Sequence, residues 1–571
     1  MSSSVTHLAT YRLQLRGGFG FTDARRILPY LERLGISHVY LSPILKARSG
    51  STHGYDVVDP TRLDPALGSE DEFRALAADV HDRGMGLVVD IVPNHMATGS
   101  ENPYWTDVLT HGIASRYAEW FDIDWDARGQ RVVIPILGDR LSRAIASGEL
   151  ALVPEIERRR FVIRYHEHDF PVDPRTIPLL LDLTVPGDAD AGSDSHDLDG
   201  VLMRLRMLPT RAAAARSTKD RAAQAAVPLG QLFDLMMASD TVRHRLECAM
   251  ADFKPRAARG PARLRALLGR QAYRLSYWRR EAREINYRRF FTVSHLVGLR
   301  QENEMVFNAT HKWIAAAVAE GLVQGVRVDH IDGLYSPSDY VRRLHALVDG
   351  IPIWVEKILS AGEELVQAWP VAGSTGYDFL NRAEELFIDS GGHTALDHMY
   401  RRFTGRRISF QETVRRSKRR ILTGHLAPDV MRLARQLRGL LQQLEIGQAL
   451  TAADLAPAVT EAIVHFGRYR TYANPATGEI DARERTILEY AFTEATRSAH
   501  ASSAALDAQA TVMFDSESPA RPLLRYPSPH QGGPTSPSGG VNLSPACDKI
   551  WQRTAPYLEN APKSTCLVSA H

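Results

Sequence analysis

Three acidic residues, Asp90, Asp329 and Glu356, each follow a run of apolar residues and come just before a loop. In Val326-Arg327-Val328-Asp329 apolar and polar residues alternate, so the Arg327 and Asp329 side chains are predicted to share one face of a strand. A guanidinium beside a carboxyl group favours the ionised acid, and an ionised Asp at a strand end could act as a nucleophile. A structural salt bridge is the alternative interpretation of this stretch taken alone.

The spacing of Asp329 and Glu356 suits acid–base chemistry on a sugar. They lie one strand–helix–strand step apart, so in a parallel barrel they are predicted to be neighbours at one mouth. Two carboxyl groups about 5–5.5 Å apart are typical of retaining glycoside chemistry, in which one is the nucleophile and the other is acid and then base. Val355 and Ile358 flank Glu356, and we expect burial there to raise the pKa of Glu356. The side chain of Lys357, the next residue along the strand, is expected to point to the opposite face of the sheet.

The elements that would position these acids alternate between strands and helices. Ser69 and Glu72 form a capping box at the start of an amphipathic helix. The near-continuous apolar run from Leu87 to Val92 predicts a strand buried on both faces, as in parallel sheets. This order predicts an α/β fold, a (β/α)8 TIM-type barrel that is incomplete here, with about six strands and large, mostly helical insertions. The predicted strands are Thr10–Leu15, Val39–Leu41, Leu87–Val92, Val326–Asp329, Ile353–Glu356 and Val371–Phe379.

We expect five segments along the 571-residue chain. Residues 1–101 are predicted to form barrel strands one to three, 102–291 an inserted subdomain, 292–380 strands four to six, and 381–510 a helical insertion. Residues 511–571 are rich in Pro, Gly and Ser and have no apolar periodicity, so they are predicted to be a disordered tail.

Several stretches resemble the α-amylase clan of glycoside hydrolases. Asp90-Ile91-Val92-Pro93-Asn94-His95, the Gly-Val-Arg-Val-Asp-His stretch at 325–330, and Val355-Glu356-Lys357-Ile358 are similar to its first three conserved regions. His53-Gly54-Tyr55-Asp56 is similar to its sugar-stacking loop. Other stretches narrow the resemblance to the maltooligosyl trehalose synthase family, over roughly residues 8 to 500. They are residues 11–14, 164–170, 284–291 and 369–381.

The resemblance implies an intramolecular transfer at the reducing end of a maltooligosaccharide, which changes an α-1,4 linkage into an α,α-1,1 linkage as in trehalose biosynthesis. Asp329 would be the nucleophile and Glu356 the acid and base, in a retaining double displacement. Arg327 would keep Asp329 ionised. The substrate-binding residues that the resemblance implies are Tyr55, Asp90, Asn94, His95, Arg327 and His330. It also implies cooperation with a maltooligosyl trehalose trehalohydrolase and no organic cofactor or metal.

The sequence departs from the family pattern after about residue 500. The clan's fourth conserved region, a His-Asp pair that supplies a third catalytic carboxylate, is not found, since His168-Asp169 lies in the early insertion. Family chains run further, and the change of composition suggests a truncation or a shifted reading frame. A six-stranded barrel has unpaired edges, so we expect this chain to be poorly stable and weakly active or inactive.

The composition gives no reason to expect nucleic acid or a membrane as a partner. The formal net charge is +2, which gives no reason to expect nucleic acid, and no apolar segment is long enough to span a membrane. Three cysteines without metal-type spacing suit a reducing cytoplasm, which is the expected location. The alternatives to the synthase are an amylase-type maltooligosaccharide hydrolase and a glucan-binding pseudoenzyme.

Overall fold

A computed structural model describes residues 7–126, 129–181, 193–217, 220–280, 284–360, 362–473, 480–498 and 500–514. The chain divides into two compact units. The first comprises Met1–Met96, Arg289–Val293 and Leu299–His571, and the second comprises Ala97–Arg288 and Ser294–Gly298.

The first unit is built on a six-stranded sheet in which every pair of neighbouring strands is parallel. The strands follow one another across the sheet in chain order, as in a (β/α)8 barrel. This confirms the predicted α/β fold, an incomplete TIM-type barrel of six strands with helical insertions. The strands are β1 (Thr10–Leu13), β2 (His38–Leu41), β3 (Gly86–Ile91), β4 (Gly325–Val328), β5 (Ile353–Val355) and β6 (Gly373–Ser374).

The first five strands lie within two residues of their predicted bounds, but the sixth does not. A strand was expected from Val371 to Phe379, whereas β6 holds two residues and a helix begins at Tyr377. Gly376 has a φ of +81°, a left-handed conformation that ends the extended backbone and precedes the helix. The prediction of a long sixth strand was therefore wrong.

Every residue of β2, β3, β4 and β5 is buried, because helices cover the outer face of the sheet. Residues such as Val89 and Val326 pack with helix residues in one hydrophobic core. The predicted capping box is confirmed, since Glu72 N–H donates to Ser69 Oγ at 3.2 Å and Ser69 N–H to Glu72 Oε2 at 2.7 Å. The helices connecting the strands are Phe21–Arg33, Glu70–Asp82, Glu304–Ala319 and Pro337–Leu347.

After β6 the described chain of the first unit is helical. Five of these helices, from Phe410 onward, contribute to a separate apolar core. The last helix runs to Phe514, past the predicted start of the tail at residue 511, and residues 515–571 lie outside the described residues. The helices are Tyr377–Glu385, His393–Thr404, Phe410–Thr423, Ala427–Gln443, Ala452–His465, Ala482–Thr496 and Ser503–Phe514. An antiparallel pair, Leu45–Ala47 and Val57–Leu63, lies earlier in the unit.

The second unit combines helices with two small sheets. One sheet is antiparallel (Leu150–Glu155, Arg160–Tyr165 and His168–Pro171), and the other is a parallel pair (Val132–Leu137 and Tyr273–Tyr277). Its helices are Pro103–His111, Leu141–Ser147, Pro178–Leu181, Ser193–Arg206, Arg211–Ala214, Arg221–Ala238, Asp240–Ala251 and Gly260–Gly269. Short strands at His95–Ala97, Arg289–Phe290 and Val293–Gly298 lie where the chain passes between units. Within the described ranges, no helix has the length and hydropathy that a bilayer crossing requires.

Gly325 lies where β4 packs closely against residues of β3 and β5. A Cβ at this position would lie 2.7 Å from Cζ3 of Trp354 and 3.1 Å from Cγ2 of Val88. Trp354 is fully buried and has no room to move, so Gly325→Ala should lower the free energy of unfolding by about 1–3 kcal/mol. Urea titration followed by tryptophan fluorescence measures the change.

Gly439 supplies the control. It lies inside the helix Ala427–Gln443, and no atom comes within 4 Å of an added Cβ. Gly439→Ala should raise the free energy of unfolding by about 0.5–1 kcal/mol. Equal stability of the Gly325→Ala variant and the parent would contradict the tight packing of β4 against Trp354.

Candidate functional site

Three neighbouring strands bring the predicted acids to one edge of the sheet. Arg327 on β4 is in register with Asp90 on β3, and Val328 is in register with Val355 on β5. The backbone N–H of Asp329 donates to Ile91 O at 2.9 Å, and that of Glu356 donates to Val328 O at 2.9 Å. The ladder hydrogen bonds therefore continue one residue past β4 and β5 and fix the backbone of both acids.

Arg327 lies at the centre of the three carboxyl groups. Its Nη1 donates to Asp90 Oδ1 at 2.8 Å and to Asp329 Oδ1 at 2.9 Å, and its Nη2 lies 3.3 Å from Glu356 Oε2. Burial disfavours the charge on the guanidinium, but the surrounding acids outweigh it and raise the pKa of Arg327. One fixed positive charge thus interacts with three acids, two of them buried and one, Glu356, partly exposed.

Asp329 has one oxygen held and one oxygen without a donor. Oδ1 accepts the Arg327 hydrogen bond, whereas Oδ2 is buried and no donor among the described groups reaches it. Burial raises the pKa of Asp329 well above its usual range, and the neighbouring Glu356 charge raises it further. Arg327 acts in the opposite direction without overcoming these effects. Arg327 therefore favours the ionised form, as expected, but the net shift of the Asp329 pKa is upward.

The Glu356 side chain is more exposed to solvent than that of Asp329. Burial opposes its charge, but Arg327, His330 and the His330 backbone N–H together lower the pKa of Glu356. That N–H donates to Glu356 Oε2 at 2.7 Å, and it points there because His330 adopts a left-handed conformation with φ +46°. The predicted rise in the pKa of Glu356 is therefore wrong in the substrate-free site. The pKa values of these two neighbouring acids are therefore shifted in opposite directions.

Two tyrosines complete the surroundings of Asp90. The Tyr40 hydroxyl donates to Asp90 Oδ2 at 2.6 Å, and the Tyr55 hydroxyl donates to the same oxygen at 2.7 Å. Burial raises the pKa of both tyrosines, and the Asp90 charge adds to this. Both hydroxyls therefore remain protonated donors. Tyr40 was not anticipated, although its position as a polar-tipped residue in a buried strand was a signal.

The Tyr55 ring has neighbours of its own. Arg12 Nη2 donates to the Tyr55 hydroxyl at 3.2 Å, and the Arg327 guanidinium lies 5.9 Å from the ring centre. His95 Nε2 lies 3.2 Å from the backbone O of Tyr55, and its ring packs 4.4 Å from that of Phe290. The expected stacking of Tyr55 on a sugar stays a prediction.

Asn94 and His330 belong to the loops beneath these groups. Asn94 is fully buried, and its amide lies 3.3 Å from His95 Nδ1. A Cβ on Gly333 would lie 2.3 Å from Asn94 Oδ1, so this close approach requires glycine. The His330 ring lies 5.0 Å from the ring of Phe290. The predicted site residues therefore all lie in the first unit, and each is linked by these contacts to the carboxyl cluster or to its loops.

A buried ion-pair network supports the cluster, and sequence reasoning missed most of it. Lys357 points away from Asp329 and Glu356, as expected. Its Nζ lies 2.9 Å from Asp332 Oδ2 and 2.8 Å from Glu363 Oε1. The Tyr472 hydroxyl also donates to Asp332. Arg470 Nη1 donates to the backbone O of Asp332 at 2.9 Å. The loop that follows Asp329 is thereby fixed by residues about 140 positions further along the chain.

Tyr377 is a second residue that sequence reasoning missed as a site residue. Burial raises its pKa, and the charges of Glu356 and Asp329 add to the rise, which places its hydroxyl within their electrostatic reach. The signal was its place in the stretch 369–381, which resembles the synthase family. Within the described ranges, no three His, Cys, Asp or Glu side chains are grouped so as to bind a metal ion.

Known proteins of the amylase and synthase groups are similar to this chain. A family model described as the alpha amylase catalytic domain matches residues 23–136. A provisionally named maltooligosyl trehalose synthase of Mycobacterium tuberculosis H37Rv is 36% identical over 474 residues, which cover 81% of this chain and 48% of that protein. An intracellular maltogenic amylase of Bacillus subtilis 168 is 45% identical over 96 residues, which cover 17% of this chain and 16% of that protein.

Solved structures give the same picture. A maltooligosyltrehalose synthase from Arthrobacter ramosus matches with a TM-score of 0.67 and 32% identity, covering 92% of this chain and 54% of that chain. A hypothetical maltooligosyl trehalose synthase from Sulfolobus tokodaii matches with a TM-score of 0.62 and 28% identity, covering 92% of this chain and 55% of that chain. The chain spans about half the length of these synthase relatives.

The raised pKa of Asp329 implies that its charge destabilises the fold. An unfolded Asp titrates at about 3.9, so the penalty is absent below that pH and complete above the folded pKa. Asp329→Asn should therefore raise the thermal unfolding midpoint at pH 7, by about 2 °C for about 1 kcal/mol, with the gain vanishing toward pH 4. Differential scanning calorimetry at both pH values measures this.

Asp332→Asn is the matched control. The same change there removes a partner of buried Lys357, so it should lower the midpoint at pH 7. A loss of stability in Asp329→Asn as large as in Asp332→Asn would contradict the excess of negative charge around Arg327.

Proposed function

We propose that this chain, which belongs to the α-amylase family and is related over most of its length to maltooligosyl trehalose synthases, carries the catalytic acids of an intramolecular glucosylmutase. Its substrate would be a maltooligosaccharide, and its product maltooligosyl trehalose, in which the reducing-end α-1,4 linkage has become α,α-1,1. The observation that carries the proposal is the carboxyl pair, Asp329 with a donor-free Oδ2 and Glu356 beside it on the next strand.

The first step breaks the terminal linkage. Asp329 Oδ2 attacks C1 of the penultimate glucose, and the bond from that C1 to O4 of the reducing-end glucose breaks. Glu356 gives its proton to O4, so the reducing-end glucose leaves as a neutral sugar. The rest of the chain stays as a glycosyl ester on Asp329, with inverted configuration at C1.

The second step forms the new linkage. The released glucose turns over within the site, and its C1 hydroxyl oxygen attacks the ester-bound C1. Glu356, now a carboxylate, takes the hydroxyl proton, and Asp329 leaves as a carboxylate. The second inversion restores the α configuration. A transferase rather than a hydrolase results if the released glucose is retained and water is excluded.

The first step needs an ionised Asp329 and a protonated Glu356. In the empty site the pKa of Asp329 is raised and that of Glu356 is lowered, which is the opposite order. Transfer of a proton from Asp329 to Glu356 would restore the order that the reaction needs. Two features of a bound substrate would favour that transfer. Its O4 would accept a hydrogen bond from Glu356, and its C1 would carry a partial positive charge near Asp329.

The remaining residues would position the sugar. Asp90 holds Arg327 and the two tyrosines, and we propose that its remaining lone pairs, with His95, accept hydrogen bonds from hydroxyls of the glucose that is attacked. Tyr55 would stack on that ring. Asn94 and His330 would act through the loops that they stabilise.

The proposed product suggests a partner enzyme, and the cysteine content suggests a cellular location. The product contains an α-1,4 bond next to the new trehalose unit, so a trehalose-releasing hydrolase is the expected partner enzyme. A reducing cytoplasm is the expected location, because the cysteines lack metal-type or disulfide-framework spacing.

A glucan-binding protein without turnover is the second candidate. It is favoured by the absence of any further acid, besides Asp90, Asp329 and Glu356, at the end of or directly after a described strand of the parallel sheet. It predicts binding of maltooligosaccharide that Asp329→Asn leaves unchanged.

Incubation with maltopentaose separates these functions. The synthase reaction removes reducing ends while the number of glucose units stays at five, whereas hydrolysis creates new reducing ends. Asp329→Asn should lower kcat by at least about 10³-fold, because the nucleophile is lost. Asp507→Asn, the same change at an exposed position in the last described helix, should leave kcat unchanged. New reducing ends, or binding without any turnover, would contradict the proposed reaction.

The pH dependence follows from the raised pKa of Asp329. The nucleophile must be ionised, so kcat/KM should fall on the acid side at a pH above the usual Asp range of about 3.9. Arg327→Lys loses the two-pronged contact with Asp329 and Glu356 and should move this acid limb to still higher pH. An acid limb that stays in place in Arg327→Lys would contradict the role of the guanidinium. The profile is measured from reducing-end loss across pH 4–9.

A further inference from the structure

The second unit contains a cavity with a strong excess of positive charge. Its volume is about 770 Å³, which lies in the range of about 300–1,000 Å³ that is typical of small-molecule sites. Among the described residues that line it, Asp173 carries the only carboxyl group. Five guanidinium groups against this one carboxylate leave a formal excess of four positive charges. The arginines are Arg175, Arg206, Arg211, Arg221 and Arg270.

Asp173 and Arg221 have a structural role in this cavity. Asp173 Oδ1 accepts a hydrogen bond from Arg221 Nη2 at 2.6 Å, and both side chains are almost fully buried. Arg221 is also held at its other nitrogens, because Nε donates to Pro209 O at 3.0 Å and Nη1 donates to His111 Nδ1 at 2.8 Å. Asp173 Oδ2 accepts a hydrogen bond from Arg211 Nη1 at 2.7 Å. The single carboxylate of the lining is thus held by these two arginines and does not neutralise the others.

Arg175 and Arg270 have donors left for a ligand. Arg175 Nε donates to Leu208 O at 2.8 Å, which anchors the guanidinium, and within the described ranges neither of its Nη atoms has a hydrogen-bond partner. Arg270 is exposed, and in the described part of the chain its guanidinium has no hydrogen-bond or ion-pair partner. Arg211 Nη1 donates to the backbone O of Arg270 at 2.9 Å, so these two arginines are neighbours. An anchored guanidinium gives up little side-chain freedom when it binds an anion.

The charge of this cluster affects an arginine beside it. Burial lowers the pKa of Arg131, and the charges of Arg211 and Arg274 lower it further. Like charges held this close repel one another, and a bound anion would remove that repulsion. The cavity therefore has both the donors and the electrostatic potential of an anion site.

We propose that this cavity binds a small organic phosphate. The planar fork of an arginine side chain matches two phosphate oxygens at once. A phosphate group carries about two negative charges at pH 7, whereas a carboxylate carries one, so the excess of positive charge favours phosphate. The lining also contains the apolar residues Ile113, Pro178 and Leu179, which can contact the organic part of such a ligand.

A maltooligosaccharide does not fit the chemistry of this cavity. It is uncharged, so an excess of positive charge gives no advantage in binding it. All the residues that line the cavity belong to the second unit, whereas Asp329 and Glu356 belong to the first. The inference therefore does not depend on the proposed reaction.

Isothermal titration calorimetry on the 571-residue chain tests the inference. The ligands are glucose 6-phosphate, metal-free ADP and inorganic phosphate. At least one of the two organic phosphates should bind with a dissociation constant below about 1 mM in about 0.15 M NaCl. The tighter of the two shows whether the organic part is a sugar or a nucleoside. Inorganic phosphate should bind at least about 10-fold more weakly, because it lacks the part that contacts the apolar lining.

Substitutions of single arginines assign the binding to this cavity. Arg270→Gln should weaken binding of the organic phosphate at least about 10-fold, because a charged donor is lost. The Arg270 side chain is exposed and has no partner in the described ranges, so circular dichroism of this variant should match the parent. Arg175→Lys keeps the charge but loses the fork, and it should weaken binding by a similar factor. Arg265→Gln, the same change at an exposed position of the helix Gly260–Gly269, is the control and should bind as the parent does.

The outcomes separate this site from the proposed reaction. Absence of binding by both organic phosphates, or unchanged binding in Arg270→Gln, would overturn the inference. Inorganic phosphate that binds as tightly as both organic ligands would indicate an adventitious ion only, which also overturns it. Binding that depends on Arg270, in a chain that does not turn over maltopentaose, would support the inference while contradicting the proposed function.

Discussion

The site depends on the placement of one guanidinium among three carboxyl groups, of which those of Asp90 and Asp329 are buried and that of Glu356 is partly exposed. Arg327 contacts Asp90, Asp329 and Glu356, and it supplies one positive charge for three potential negative ones. Full ionisation would leave a net negative charge in a buried cluster, which is costly at low dielectric. The raised pKa of Asp329 reflects that cost. The pKa of Glu356 is lowered instead, since Glu356 has a backbone donor that Asp329 lacks.

This arrangement gives the two acids different properties although they occupy equivalent strand ends. Asp329 retains an oxygen without a donor, which suits a nucleophile, and Glu356 is held by an N–H and by Arg327, which suits a group that exchanges protons. A second buried cation, Lys357, forms ion pairs with Asp332 and Glu363. The two ion-pair groups use separate cations, so the supporting network does not compete with the site for charge.

The order of elements also connects the site to the edge of the sheet. β6 and the helix that begins at Tyr377 follow the strand of Glu356, and the same helix carries the exposed apolar residues Phe379 and Leu380. The central strands of the first unit are fully buried, whereas the helices Tyr377–Glu385 and His393–Thr404 contain no buried residue.

The sequence by itself determined the parallel sheet and the convergence of the acids. Apolar runs determine buried strands, period-two alternation places Arg327 and Asp329 on one face, and the strand–helix–strand spacing makes Asp329 and Glu356 neighbours. These properties are local or follow from chain order, and they could be predicted. Only the tertiary structure decided the opposite pKa shifts of Asp329 and Glu356, the hydrogen bond of Tyr40 to Asp90 and the partners of Lys357. A pKa depends on atoms from several elements, such as the His330 N–H that a left-handed backbone directs to Glu356, and no local pattern encodes that approach.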